Sequence, residues 1–168
     1  MSKLIWNIKE NINEFQLNDP TINKLVGGSI RNDDLILISG KSKVGKTSFL
    51  VNLISAVPLL NTENILYIDM ANGAKLLQDK LILVDKSNTK KNIYIQDEFD
   101  IHNIESVFSE RKYKLIIVNY LDLITNTNFH PKCSDKEEIK EVNRKEITRV
   151  IKQWINIRKI PVILVNRL

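Results

Sequence analysis

Residues 40 to 47 combine glycine, lysine and a hydroxyl side chain at a spacing suited to binding phosphate. The run fits the pattern G-x-x-x-x-G-K-[ST] and reads Gly40, Lys41, Ser42, Lys43, Val44, Gly45, Lys46, Thr47. Glycines permit a backbone that turns several N–H groups inward, and a helix N-terminus adds a dipole that favours an anion. The sequence therefore predicts a phosphate-binding loop. The alternative is an ordinary Gly-rich turn that carries a solvated lysine.

The last two residues of this loop have the side chains that a nucleoside triphosphate and its metal ion require. Lys46 is expected to contact the β- and γ-phosphates, and the Thr47 hydroxyl is expected to bind Mg²⁺. ATP is therefore the predicted ligand, and Mg²⁺ the predicted ion.

Short apolar runs and helical patterns alternate along the chain and predict the elements that hold this loop. The run 35–38 precedes the loop, and Phe49, Leu50, Leu53 and Ile54 follow it at helical spacing. Four further apolar runs cover 65–68, 93–95, 115–118 and 161–165. Alternation of this kind is typical of an α/β protein with a parallel sheet, here of about five strands.

A polar segment at 125–135, which contains Pro131, is expected to be a loop before a long helix at 136–158. One apolar stripe of this helix is predicted to pack, and it comprises Ile139, Val142, Ile147, Val150, Ile151, Trp154 and Ile155. Basic and acidic residues alternate on the other face, which favours a solvated surface over a nucleic-acid groove.

Composition allows one ordinary globular domain and names no function. The chain has 168 residues, of which 43% are hydrophobic and 27% charged, and a formal net charge of +5. That charge permits a polyanionic partner such as DNA without requiring one. The single Cys133 has no cysteine to pair with, which predicts a reducing, cytoplasmic setting, and no apolar run is long enough for a membrane span.

Several segments, taken in order, resemble the ATPase core of DnaB-type replicative DNA helicases, within the RecA-like superfamily. Apart from the phosphate loop, they are 21–28 with its paired glycines, 93–97, 115–123, Asn143-Arg144 with Glu146, and 161–168. The resemblance implies a three-layer RecA-like nucleotide-binding core. It further implies a single domain over 1–168, with an N-terminal arm and approach segment at 1–30 and the core at 31–168.

The sequence departs from this family at its catalytic carboxylates. Asn119 stands where the family has the aspartate that orders Mg²⁺; an amide can hydrogen-bond a water on the ion but contributes no negative charge, so metal binding should weaken. Ala71 stands where the family has the glutamate that activates water. Asp69 and Asp122, at predicted neighbouring strand ends, are candidates to compensate, although such residues also cap helices. Asn166 lies near the position at which the family has a glutamine that senses the γ-phosphate. The alternative is that Asn166 is simply a polar residue at a strand end.

Two classes of function follow. The first is an ATP-binding domain linked to DNA replication, with weak or absent hydrolysis and with DNA or a helicase or other ATPase subunit as partner. The second is a non-catalytic assembly or regulatory module that acts on a helicase or another ATPase ring. A small-molecule kinase is a third reading, for which the sequence shows neither lid arginines nor an acceptor pocket. The sequence is silent on oligomeric state.

Overall fold

The computed structural model of the protein describes residues 14–70, 74–84, 92–124, 126–127 and 135–167. Seven strands lie within these residues, namely β1 (Glu14–Phe15), β2 (Ile30–Arg31), β3 (Leu35–Gly40), β4 (Asn64–Asp69), β5 (Ile93–Gln96), β6 (Tyr113–Asn119) and β7 (Val162–Arg167). The α-helices are α1 (Pro20–Leu25), α2 (Lys46–Ala56), α3 (Ala74–Val84), α4 (Ile104–Ser109) and α5 (Lys136–Arg158). Two short 3-10 helices cover Ile101–Asn103 and Leu121–Leu123.

The main sheet has five strands in the order β3-β7-β6-β4-β5. Every neighbouring pair is parallel, which confirms the predicted α/β class and sheet. Parallel strands need crossover connections, and the helices between them cover both faces of the sheet. The carboxyl ends of all five strands therefore lie along the same edge.

Helices lie on both faces of the sheet, which gives three layers, and one hydrophobic core fills the space on each face. The core that packs against α2, which we call the α2-side core, contains the strand residues Ile65, Tyr67, Leu115, Ile117, Ile163 and Val165. The α5-side core takes the alternate residues Leu66, Ile68, Ile116, Val118, Val162 and Leu164. Successive strand side chains point to opposite faces, so continuous apolar strands are what a sheet covered on both sides requires. This architecture is consistent with the expected three-layer RecA-like core.

Helix α5 begins and ends where the sequence predicts, because both ends carry recognisable caps. The Asp135 side chain accepts hydrogen bonds from the backbone N–H groups of Glu137 and Glu138, and Lys159 ends the helix in a left-handed conformation with φ of 56°.

The predicted apolar stripe of α5 packs only in its second half. Ile147, Ile151, Trp154 and Ile155 are buried, whereas Val142 is 42% exposed.

The segment before the main sheet packs closely against the domain. The β1 and β2 strands form a small antiparallel pair, and α1 begins at Pro20 with Asp19 as its cap. Leu17, Ile22 and Ile30 are buried in the α2-side core. Residues 14–30 thus share the core of the sheet. The rest of the predicted N-terminal arm, including Trp6, lies outside the described residues.

Within the part of the chain that the structure describes, none of the helices combines the length and apolar character needed to cross a membrane.

The packing of α5 predicts opposite outcomes for one substitution at two positions. Ile151 is fully buried and Ile157, on the same helix, is 76% exposed. Ile151→Ala is expected to lower the free energy of unfolding by about 2–5 kcal/mol, because it leaves a cavity. Ile157→Ala is expected to change it by less than about 0.5 kcal/mol. Urea unfolding of both variants measures the difference, and equal losses would contradict the assigned face of α5.

Candidate functional site

The predicted phosphate loop joins the end of β3 to the start of α2. Gly45 has a φ of 95°, in the left-handed region where a residue with a side chain is strained. A Cβ atom built on Gly40 would lie 3.1 Å from Cγ2 of Val44, a tight contact that the Val44 side chain would have to shift to relieve. Gly45 therefore has a structural reason to be glycine, and Gly40 lies where space for a side chain is limited.

The ammonium group of Lys46 lies over the loop. Its Nζ donates hydrogen bonds to the backbone oxygens of Gly40, at 2.6 Å, and Lys41, at 2.8 Å. An ammonium has three N–H donors, so these two bonds fix its position and leave a third donor for a ligand. The positive charge is thus placed in advance at the mouth of the loop.

The start of α2 adds backbone donors to this charge. An α-helix leaves its first N–H groups without partners inside the helix, and Gly45, which precedes α2, has no side chain with which to cap them. Thr47 lies in the first turn and is half-buried. Together, the loop, the ammonium and the helix end can bind a phosphate chain through charge and hydrogen bonds.

Two polar side chains are buried at the carboxyl ends of adjacent strands, and we call Asp69 and Asn119 the strand-end pair. Each is 1% exposed, and they are the buried polar or charged residues found among those described. The two residues are direct partners in the β4–β6 register, and Nδ2 of Asn119 donates a hydrogen bond of 3.1 Å to Oδ1 of Asp69. Strand alternation places both on the α2 side of the sheet, the side of the phosphate loop.

Two tyrosines next to this pair were not anticipated from the sequence. Tyr120 follows Asn119 with a φ of 73°, and the Lys46 ammonium lies 6.0 Å from the centre of its ring. Among the described residues, the Tyr67 hydroxyl is buried without a hydrogen-bond partner. Desolvation, with smaller contributions from the charges of Asp69 and Tyr120, raises the pKa of Tyr67. The period-two alternation of β4 could have identified Tyr67, because it lies two residues before Asp69.

Asp122, the other candidate carboxylate, is bound elsewhere. It lies in the 3-10 helix after β6, and both of its oxygens accept hydrogen bonds from the Arg144 guanidinium of α5. This hydrogen bonding raises the pKa of Arg144. The structure thus brings Asp69 to Asn119 and commits Asp122 to an ion pair on the other face of the sheet.

Asn166 also lies on the α5 side. It is paired in register with Ser39 of β3, and its Oδ1 accepts a hydrogen bond of 2.8 Å from the Arg167 N–H. It lines a cavity of about 460 Å³ whose other walls are Leu37, Leu121, Glu141, Arg144, Lys145, Thr148, Arg149 and Lys152. Asn166 therefore faces a groove beside α5 while the strand-end pair faces α2. Its expected role in sensing the γ-phosphate remains a prediction.

The remaining sequence predictions concern the substituted glutamate position and the metal. Ala71 lies outside the described residues. Within the described ranges, no group of three or more His, Cys, Asp and Glu side chains is arranged to hold a metal ion. Oxygen-bearing side chains on the loop's side of the sheet include the Thr47 hydroxyl in the first turn of α2 and, at the ends of β4 and β6, Asp69 and Asn119. Hard oxygen donors of this kind, few in number and next to a phosphate site, are those that Mg²⁺ uses when substrate phosphates complete its shell.

No protein-family model matches the chain, and a search of curated proteins finds no match.

The strand-end pair predicts the effect of replacing its amide with a second carboxylate. Asn119→Asp would bury two like charges in direct contact and remove the donor to Asp69. We expect a loss of about 1–3 kcal/mol in the free energy of unfolding at neutral pH. The folded variant would bind more protons than the unfolded chain, so its stability falls as pH rises and recovers as pH falls.

Urea unfolding over a series of pH values measures this effect. Asn52→Asp, on the exposed surface of α2, is the matched control and should show little change. A loss at Asn119 that is the same at every pH would contradict a carboxylate at Asp69 in contact with this position.

Proposed function

We propose that the protein is an ATP-binding domain with a RecA-like core, in which residues 40–47 bind the triphosphate together with Mg²⁺. The observation that carries this proposal is the Lys46 ammonium, which two loop carbonyls hold at the start of α2. A lysine fixed in this way, beside uncapped helix N–H groups, is suited to a chain of phosphates. The exposed Lys41 and Lys43 add positive charge at the rim of the loop.

Hydrolysis by this domain is expected to be weak or absent. The residue at the β6 end is Asn119, whose amide cannot accept a proton from water and whose Nδ2 is already bound to Asp69. The resemblance to replicative helicases puts Ala71 at the position of the water-activating glutamate, and alanine has no group that could take this role. Binding without efficient turnover is therefore the activity that these residues support.

The same resemblance supports a place in DNA replication, in the cytoplasm, with DNA or a helicase or other ATPase subunit as partner. The net charge of +5 is compatible with a polyanion. Much of the basic charge on α5 is neutralised locally, because Arg144, Lys145 and Arg149 each form an ion pair with a neighbouring acid. The charge of α5 therefore does not favour this helix as a DNA-binding surface.

A second candidate function is a non-catalytic module that joins or regulates an ATPase ring. The feature that favours it is β3, which among the described residues pairs on one side only, with β7. Leu37 on this edge strand is 59% exposed. An apolar edge strand is a ready template for pairing with another chain. Sizing of the protein with and without ATP separates the two, since a module that only uses the fold would assemble equally in both.

Binding of ATP is expected to depend on Lys46. Lys46→Met keeps most of the side-chain length and removes the charge and its donors, so the affinity for ATP with magnesium chloride should fall about 10- to 100-fold. Calorimetric titration measures this, with Lys152→Met on the exposed surface of α5 as control. Binding by the Lys46 variant at the wild-type level, or no binding by the wild type, would overturn the proposal.

Turnover is expected to respond to a base at position 71. The wild type should hydrolyse ATP slowly, with or without single-stranded DNA. Ala71→Glu should raise the rate by about 100-fold if it restores a general base, whereas Ala71→Gln, of similar size and without a base, should not. Phosphate release measures all three. Rapid turnover by the wild type would refute weak hydrolysis.

A further inference from the structure

The strand-end pair consists of one carboxylate and one amide in direct cross-strand contact. Burying a carboxylate is costly unless donors or a cation compensate for the lost water. Asn119 supplies one such donor to Oδ1 of Asp69 at 3.1 Å. An aspartate at position 119 would instead place a second negative charge there. The amide at the end of β6 and the carboxylate at the end of β4 are therefore complementary, and each explains the identity of the other.

Two observations place this pair on the side of the sheet that carries the phosphate loop. Strand alternation turns it toward α2, whose first turn follows the loop. Tyr120, the residue after Asn119, lies with its ring 6.0 Å from the Lys46 ammonium. Tyr67, two residues before Asp69 on the same face, brings a buried hydroxyl without a partner close to Asp69 and Tyr120.

We propose that Asp69, at the end of β4, supplies the carboxylate that acts on the Mg²⁺ ion accompanying ATP, and that Asn119 is its positioning residue. This inference rests on the proposed binding of ATP by residues 40–47. When bound, Mg²⁺ supplies positive charge that neutralises the phosphates. Thr47 and Asp69 are the groups that hold the ion together with those phosphates. The carboxylate absent at position 119 is thus provided by the neighbouring strand.

Magnesium dependence of ATP binding tests this assignment without measuring hydrolysis. Calorimetric titrations with ATP in magnesium chloride and with ATP in EDTA give the gain in affinity due to the ion. Asp69→Asn keeps the shape of the side chain and removes its charge, so the affinity for magnesium in the ATP complex should fall about 10- to 100-fold. Affinity for ATP in EDTA should be retained. Electron paramagnetic resonance with Mn²⁺ in place of Mg²⁺ reports the bound ion directly.

Two further variants make the test independent of folding losses. Asp122→Asn removes a carboxylate that is bound to Arg144 and should leave magnesium dependence unchanged. The exchange Asp69→Asn with Asn119→Asp keeps one carboxylate and one amide in contact, so it should fold. Because its carboxylate lies at position 119, it should not recover the ion affinity lost in Asp69→Asn, and wild-type magnesium dependence in the exchange would overturn the assignment to position 69.

The outcomes also separate this inference from the function on which it rests. If the wild type binds ATP neither with magnesium nor with EDTA, the proposed function fails. If it binds ATP and Asp69→Asn shows the wild-type magnesium dependence, the assignment of Asp69 alone is wrong.

Discussion

The parallel pairing of β3, β7, β6, β4 and β5 is the constraint on which the candidate site depends. Because all five strands run in one direction, their carboxyl ends meet at one edge, and whatever residue follows each strand is brought there. The phosphate loop leaves β3 at this edge, and Asp69 and Asn119 end β4 and β6 at the same edge. Segments far apart in sequence are thus brought to one edge of the sheet, where the candidate site lies.

Much of this fold follows from local patterns. Each strand of the main sheet contains an apolar run of the kind that a sheet covered on both faces needs, and α5 has its caps at both ends. The pair β1 and β2 was not anticipated, because a strand of two residues has no period to detect. The exposure of Val142 was not predicted either, for a different reason. A helical stripe shows which face is apolar, but it cannot show how far along the helix the sheet extends.

The site was only partly predictable. Glycine and lysine spacing indicates the loop because its chemistry is local, and in the structure Lys46 donates to two carbonyls of this loop, while phosphate binding stays a prediction. Strand order is not local, and it decides which polar residues meet. Asp69 and Asp122 looked equivalent in sequence, since each lies at or just after a strand end. Register brings Asp69 against Asn119, whereas the 3-10 turn after β6 carries Asp122 toward Arg144.

The amide of Asn119 at the end of β6 therefore has two physical interpretations that lead to different functions. Considered alone, a neutral amide at the proposed metal site would weaken the binding of Mg²⁺, as expected for an enzyme that has lost its activity. Considered with its partner, the same amide donates a hydrogen bond to Asp69, whereas an aspartate at position 119 would place a second acid in contact with it. Retaining one negative charge at this edge while lacking a base at position 71 would keep metal-assisted binding and lose turnover. A domain of that kind is suited to holding ATP as a bound ligand.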